Sequence, residues 1–315
     1  MEKKKIIAVI GPTASGKTGL AITLAKRYDG EIISADSMQI YSELSIGTAK
    51  PSMEERQGIP HHLMGFLSIS ENYSVADYVS DAKKVIEDVL RRGKMPILCG
   101  GTGLYVDSLL SNTEFTEIQS DPVLRKHLEQ IAEEEGKEKF FERLRDIDPQ
   151  LALKLHYNNL GRVIRALEVY ELTGKTMTKL QELSHQTPSP YDVCYIGTNY
   201  SDREKLYERI EQRNNLMFKE GVLEEARFLF EHGETCTAAQ AIGYKEFYPY
   251  FKGEMTLDEA MAVLKKETRH YAKRQLTWFR RNDRINWLCW DDYDSKEELF
   301  EKAFEIIDFW RDHEE

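Results

Sequence analysis

Ile6-Ile-Ala-Val-Ile10 runs straight into Gly11-Pro-Thr-Ala-Ser-Gly-Lys-Thr18, and this junction decides the fold. The apolar run reads as a buried β-strand, too short for the secretory-signal core of roughly 7–15 residues. Gly11, Gly16, Lys17 and Thr18 satisfy G-x-x-x-x-G-K-[ST], with Pro12, Thr13, Ala14 and Ser15 between them. A helix follows to about Tyr28, with Leu20 and Leu24 one turn apart on its inner face. A glycine-rich turn between strand and helix offers backbone N–H groups and the positive end of the helix dipole to phosphate. Lys17 adds a point charge, and the Thr18 hydroxyl is placed to hold Mg²⁺.

Further along, Glu31-Ile-Ile-Ser-Ala35 reads as a second strand ending at Asp36. Ser74-x-x-Asp77 resembles a capping box, opening a helix with apolar positions at Val75, Tyr78, Val79, Ala82, Ile86, Val89 and Leu90. Gly93 closes that helix, and Met95–Cys99 is a third strand entering Gly100-Gly101-Thr102-Gly103. Strand alternating with helix predicts an α/β fold, a P-loop NTPase-like parallel sheet flanked by helices.

From about Phe115 to Pro190 the periods are helical and no strand stands out. Asp121-Pro122 and Asp148-Pro149 pair an N-cap with proline at the first helical position, and Arg162–Leu172 ends at Gly174. This predicts an all-helical domain, residues 115–190, inserted into a catalytic core of residues 1–114 and 191–315. Asp192–Thr198 returns to strand. Ser201-x-x-Glu204 is read as the cap of a helix to about Lys219, on which Lys205, Arg209 and Arg213 share a face. Thr256-x-x-Glu259 caps another helix to about Arg281; Ile285–Trp290 is the last strand, and an acidic amphipathic helix follows.

Lys and Arg number 43 against 54 Asp and Glu, a net charge of −11, which excludes a uniformly basic nucleic-acid coat. The acidity is local. Residues 265–284 carry a net +6 and residues 291–315 a net −8, so residues 1–284 total only −3. Lys266, Arg269, Lys273 and Arg280 fall on one helical face, leaving room for a localised grip on a polyanion. No apolar run approaches the roughly 20 residues that span a bilayer. Cys99, Cys194, Cys236 and Cys289 lie far apart, with no C-x-x-C and no pair of histidines at zinc-ligand spacing. A reducing cytoplasm is expected, and a structural metal is not.

An ordinary ATPase carries a second motif, an apolar strand ending in Asp or Glu. Here Ile97-Leu-Cys-Gly100 ends in glycine, and the strand-terminal carboxylate is Asp36. In a parallel sheet both strand ends open into one crevice, so Asp36 faces whatever sits on the phosphate loop. The residues alone say that phosphate is bound and leave open whether a phosphoryl group moves.

Gly11–Thr18, Asp36-Ser-Met-Gln-Ile-Tyr41, Gly47-Thr-Ala-Lys-Pro51, His61-His-Leu63 and Gly100-Gly-Thr-Gly-Leu-Tyr105 occur in the order of bacterial tRNA dimethylallyltransferases. Arg165-Ala-Leu-Glu168, Ala241-Ile-Gly-Tyr-Lys245 and Ala272-Lys-Arg-Gln-Leu-Thr-Trp-Phe279 continue the series, so the chain resembles that family over essentially its whole length. The resemblance implies transfer of a dimethylallyl group from dimethylallyl diphosphate to N6 of the adenine immediately 3′ of the anticodon, in tRNAs reading codons that begin with U. The phosphate loop then grips a diphosphate leaving group, although proteins of this family are often described as ATP-binding.

By the same resemblance Asp36 is the general base, or the acceptor that orients N6. Ser37, Met38 and Gln39 contact the flipped base, and Thr102 lies close to the reacting centre. Gly100 and Gly101 let the backbone approach, and Arg213 closes over the diphosphate beside Lys17, Thr18 and Mg²⁺. Arg125, the run Gly161, Arg162, Val163, Ile164 and Arg165, and the run Gln240, Ala241, Ile242, Gly243, Tyr244 and Lys245 touch tRNA. The protein is expected to act as a monomer and without a membrane. His61-His62 is read as fixing a loop, and Tyr271 and Trp278-Phe279 as core positions of a helix. A small-molecule kinase, an adenylate isopentenyltransferase and a non-catalytic RNA-binding module are the alternatives.

Overall fold

Side chains alternate along the first strand and so build two faces at once. In the computed structural model, which describes residues 3–115, 118, 120–184, 187–232 and 237–313, strand β1 (Lys4–Ile10) sends Ile6, Ala8 and Ile10 into one cluster. Ile7 and Val9 enter another. Helix α1 (Lys17–Arg27), β2 (Gly30–Ser34), β3 (His61–His62), α2 (Val75–Arg91), β4 (Met95–Gly100) and α3 (Gly103–Leu110) follow. The chain re-enters the sheet with β5 (Tyr191–Asn199) and β6 (Asn286–Cys289), in the order β3-β2-β4-β1-β5-β6 with every pair parallel. A parallel sheet needs cover on both faces. Tyr78, Ala82 and Ile86 of α2 and Leu109 of α3 cover one. Leu20 and Leu24 of α1 cover the other, with Leu299, Ala303 and Ile307 of the C-terminal helix, Lys296–Asp312.

Contacts divide the chain into two units, Met1–Leu110 with Pro190–Glu315, and Ser111–Ser189. The second unit contains α4 (Pro122–Glu135), α5 (Lys137–Ile147), α6 (Pro149–Ala152), α7 (Leu160–Thr173) and α8 (Met177–Ser184) around Leu128, Phe140, Leu144, Val163 and Leu167. Asp148-Pro149 does start a helix, but only a single turn. The Asp148 carboxylate is also bonded to Thr178 N and Oγ1, and the chain turns away after Ala152. In the first unit a third cluster gathers Ile40, Tyr41 and Leu44 with α9 (Arg203–Glu220), α10 (Val222–His232), α11 (Tyr248–Phe251) and α12 (Leu257–Phe279). The C-terminal helix is α13.

Capping boxes form at Ser74–Asp77 and Thr256–Glu259. The cap expected at Ser201 belongs instead to Asp202, whose side chain accepts from Glu204 N. Ser201 is taken up elsewhere, donating from N to Asp291 at 2.7 Å and from Oγ to Asp292 at 2.8 Å. His61-His62, read as loop residues, form the edge strand β3 in parallel register with Ile32 and Ile33. His62 pairs there with the buried Glu31, which also holds Arg92. Cys194 is buried, Cys99 and Cys289 are partly so, and Cys236 lies outside the described residues. No helix among the described residues is long and apolar enough to cross a membrane.

Candidate active site

The carboxyl ends of β1, β2 and β4 bring three stretches together: the loop Gly11–Gly16, Asp36, and Gly100-Gly101-Thr102. Gly16 caps α1 in the left-handed conformation, φ 79°, and a β-carbon there would strike the Trp290 ring at 2.8 Å. Only glycine fits on both counts. The loop is fastened from outside, by Trp290 Nε1 donating to Ser15 O (2.6 Å) and by Ser15 Oγ against Thr198 Oγ1 (2.8 Å).

Lys17 donates to Pro12 O at 2.5 Å. Burial pulls its ammonium down to about 8, against the raising influence of Cys99 and Asp36, while the Arg213 charge lowers it further. Burial also lowers Arg213, and Asp36 and Tyr271 act in the opposite direction. Lys17, Asp36 and Arg213 therefore share one electrostatic environment, as two cations and one carboxylate.

Asp36 spends one oxygen on its own turn. Oδ1 accepts from Met38 N (2.9 Å) and Gln39 N (3.3 Å), and Oδ2 has no bond within the described residues. Thr102 Oγ1 accepts from Ser37 N at 3.0 Å, tying the β4 loop to the same turn.

A cavity of about 1190 Å³ opens over the loop, walled by Ala14–Gly19, by residues of the 45–57 segment, and by Arg209, Gln212, Arg213, Leu216, Met217 and Glu220 of α9. Among its cations, Lys50 is bound to Tyr41 O (2.5 Å) and Arg56 to Pro51 O (3.0 Å). Arg209 and Arg213, one turn apart, have no hydrogen bond or ion pair within the described residues. The chamber thus holds a helix N-terminus and free positive charge, the requirements of a polyphosphate or diphosphate site.

The described residues contain no group of three His, Cys, Asp or Glu that could cage a metal. One exposed hydroxyl, Thr18, stands in the first turn of α1. That donor set suits a cation arriving on phosphate oxygens, not one resident on the protein.

A family model described as IPP transferase matches residues 39–282. A tRNA dimethylallyltransferase of Caldanaerobacter subterraneus is 46% identical over 306 residues, 96% of this chain and 97% of its own. The chain belongs to the IPP transferase family. A tRNA dimethylallyltransferase of Acetivibrio thermocellus is 49% identical, with 93% of this chain and 94% of its own covered. Among solved structures, the full-length tRNA isopentenylpyrophosphate transferase of Bacillus halodurans matches with a TM-score of 0.74 at 41% identity, over 98% of each chain. A eukaryotic dimethylallyltransferase acting on tRNA matches with a TM-score of 0.80 at 31% identity, over 97% of this chain and 80% of its own.

In this IPP transferase chain, several residues sit otherwise than expected. Gln39 has no free amide for a base: Nε2 donates to Thr48 O and Ala49 O, both at 3.2 Å, and Oε1 accepts from Ser34 Oγ at 3.3 Å. The glycines at 100 and 101 admit the protein's own chain. Added β-carbons would lie 2.1 Å from Ala35 O and 2.3 Å from Gln275 Nε2.

Ala241 and Tyr244 are buried, with Tyr244 wholly enclosed, leaving Gln240 and Lys245 exposed. Val163 and Ile164 face the helical unit's core, while Gly161 and Arg162 are exposed. Arg165 is committed to Glu168 (2.7 Å) and Ile118 O (3.0 Å), and Arg125 stands beside Glu129 at 3.9 Å.

Two residues of α12 were missed. Tyr271, read as core, lies in the same electrostatic environment as Thr102, Asp36 and Arg213; burial, above all, and the Asp36 charge push its hydroxyl up. Gln275 accepts from Thr13 N at 2.8 Å and donates to Gly101 O at 2.9 Å, joining the phosphate loop to the β4 loop. A polar residue in the middle of an apolar stripe was the available signal for Gln275; Tyr271 offered none.

Proposed function

We propose that this chain transfers the dimethylallyl group of dimethylallyl diphosphate to N6 of the adenine immediately 3′ of the anticodon, in tRNAs reading codons that begin with U. The observation that carries the reading is the pairing of an anion chamber, with unpartnered Arg209 and Arg213 over the phosphate loop, and an Asp36 oxygen left without a protein donor. A kinase would place a metal-binding carboxylate at the end of β4, where this chain has Gly100 and Gly101.

In the transfer, the N6 lone pair forms a bond to the allylic C1 as the C1–O bond breaks, and the electron pair leaves with diphosphate. N6 loses its proton to Asp36 Oδ2, a general-base role worth about 10²–10⁴-fold. Lys17, Arg213 and the N–H groups of Gly16, Lys17 and Thr18 stabilise the departing charge in a site already oriented for it. Thr18 would hold Mg²⁺ together with the diphosphate oxygens, and the ion would neutralise charge as the leaving group departs. Thr102, held on Ser37 N, borders the reacting centre.

Extracting the adenine from a stacked loop costs roughly a few kcal/mol. Exposed Arg162, Gly161, Gln240, Lys245 and the Arg125 face are assigned to tRNA, together with Lys273 of α12 and Arg280 at its C-terminal cap, which are also exposed. The protein is proposed to work as a monomer in the cytoplasm.

The test incubates the protein with labelled dimethylallyl diphosphate and Mg²⁺, and with tRNA or AMP in separate reactions; a third reaction carries γ-labelled ATP with small-molecule acceptors. Label is expected in tRNA. Label in AMP alone gives the adenylate transferase, and γ-phosphate transfer gives the kinase.

A further inference from the structure

Gly47-Thr-Ala-Lys-Pro51 and Ala241-Ile-Gly-Tyr-Lys245, far apart in sequence, converge on one carboxylate, Glu225 of α10. Its Oε1 accepts from the N–H groups of Ser45 (2.5 Å) and Ile46 (3.2 Å), and its Oε2 accepts from Gly47 N–H (2.9 Å) and the Tyr244 hydroxyl (2.7 Å). Successive N–H groups closing on one carboxylate form an anion nest, filled here by the protein's own charge. Hydrogen bonds to an ionised acceptor are roughly twice as strong as neutral ones. The packing leaves no slack. Tyr244 is wholly buried, and a β-carbon on Gly47 would lie 2.5 Å from its ring. Burial and the Glu225 charge push the Tyr244 hydroxyl far up, so it remains a donor.

The segment fixed in this way reaches the site by two routes. Ser45, Ile46, Ala49 and Lys50 wall the cavity that also holds Lys17 and Arg213. Thr48 O and Ala49 O take both side-chain N–H groups of Gln39, whose backbone N–H is one of the two donors on Asp36 Oδ1. Nest, loop, Gln39 amide and Asp36 carboxylate form one continuous chain of bonds.

We propose that Glu225 and Tyr244 are positioning residues for the transfer: they hold the 45–51 loop, and through Gln39 the Asp36 carboxylate, where the acceptor nitrogen must arrive. This rests on the transfer reaction proposed above. It also gives the buried half of the 241–245 stretch a task that RNA contact does not supply.

Misplacing a reacting group by about 1 Å can cost about 10²-fold. Glu225→Gln keeps the shape but presents a donor where Gly47 N–H and the Tyr244 hydroxyl need an acceptor. Its single-turnover rate, normalised to folded protein, is expected to fall about 10²-fold with KM for tRNA within about twofold of wild type. Tyr244→Phe removes one bond and keeps the ring; its expected loss is about 3–10-fold, and it serves as the readout if Glu225→Gln fails to fold. Gln39→Met severs the second link, and the Glu225→Gln/Gln39→Met pair is expected to be no slower than the slower single variant.

Rates within about twofold of wild type, with Ser45–Gly47 amides deprotected, would show that the nest is structural only and overturn the proposal. Additive losses in the double variant would overturn the route through Gln39. A wild-type protein that leaves tRNA unlabelled breaks the underlying reaction instead. The coupling is then read from amide exchange at Met38 and Gln39 in Glu225→Gln, which accelerates if the route holds and stays at the wild-type rate if it does not.

Discussion

In the helical unit, Arg143, Arg145 and Arg165 spend their charge on the protein itself. Glu168, fully buried, is held by Arg165 at 2.7 Å, by Ser120 Oγ at 2.5 Å and by Asp121 N at 3.0 Å. Arg143 and Arg145 close on Glu135 and Glu142. At the carboxyl edge of the sheet the opposite holds: Lys17 and Arg213 are burdened by burial, and the Asp36 oxygen that would answer them points at no donor. An uncompensated charge in a partly buried site is costly. A fold that keeps several of them in one cavity is prepared for a ligand that brings the missing charges, whereas satisfied pairs such as Arg165–Glu168 mark architecture.

The hardest test of that contrast removes the unsatisfied carboxylate. Asp36→Ala is expected to cut turnover by about 10²–10⁴-fold while tRNA affinity stays near wild type. Lost tRNA binding with normal chemistry at saturating tRNA would contradict the assignment. Next in size is Arg213→Ala, expected to lower kcat/KM for dimethylallyl diphosphate by about 10²–10³-fold, as loss of one oriented charge at a leaving group does. An unchanged constant would return Arg213 to the class of solvated helix cations.

The two regions also differ in how legible they were. The phosphate loop could be read because its motif is local: strand, turn and helix lie within 28 residues, and the chemistry is in the backbone. Asp36 could be read because a parallel sheet dictates where its strand ends open. Tyr271 and Gln275 could not be placed, since their partners Thr102, Thr13 and Gly101 are more than 160 residues away and only the fold brings them together. The same limit hid the partners of Gln39 and Tyr244. The Gln39 amide is engaged by the carbonyls of Thr48 and Ala49, and the Tyr244 hydroxyl by the Glu225 carboxylate. Ser201 was displaced as a cap by an immediate neighbour, Asp202, because Asp291 and Asp292, which follow the neighbouring strand β6, claim it.

Acidity of Lys17 gives a third test. Burial lowers its pKa to about 8 in the free protein, and diphosphate binding favours the protonated form, so the bound value is higher. Below about pH 8 both states are protonated and binding is insensitive to this group. As pH rises through about 8, the free protein must take up a proton to bind, and KM for dimethylallyl diphosphate is expected to climb by up to about tenfold per unit. Titrating KM between about pH 7.5 and 9.5 checks this, and Lys17→Met should abolish the slope while raising KM throughout. A smaller effect is expected of Tyr271→Phe, which removes one hydroxyl from the surroundings of Thr102 and Asp36. One hydrogen bond contributes about 0.5–1.5 kcal/mol, so kcat should fall by about 2–12-fold with KM for diphosphate unchanged.

The finest discrimination lies within one helix. Arg162 and Arg165 both lie on α7, and both were expected to meet RNA phosphate, yet one is exposed and the other is bound to a buried glutamate. Free cations are the ones available to a polyanion, so Arg162→Ala should weaken tRNA binding by only a few-fold and reduce the slope of log K against log salt by about 1. Arg165→Ala should leave that slope in place. Its effect should appear as stability: Glu168 loses its counter-charge in a site without solvent and retains only Ser120 and Asp121, at a cost of about 1–3 kcal/mol. Arg165 is itself partly solvated, which holds the loss below that of a fully buried pair. If Arg165→Ala instead lowers the salt slope with no loss of stability, then satisfied charge in this unit also serves RNA, and the division between architecture and ligand site fails where it was drawn most narrowly.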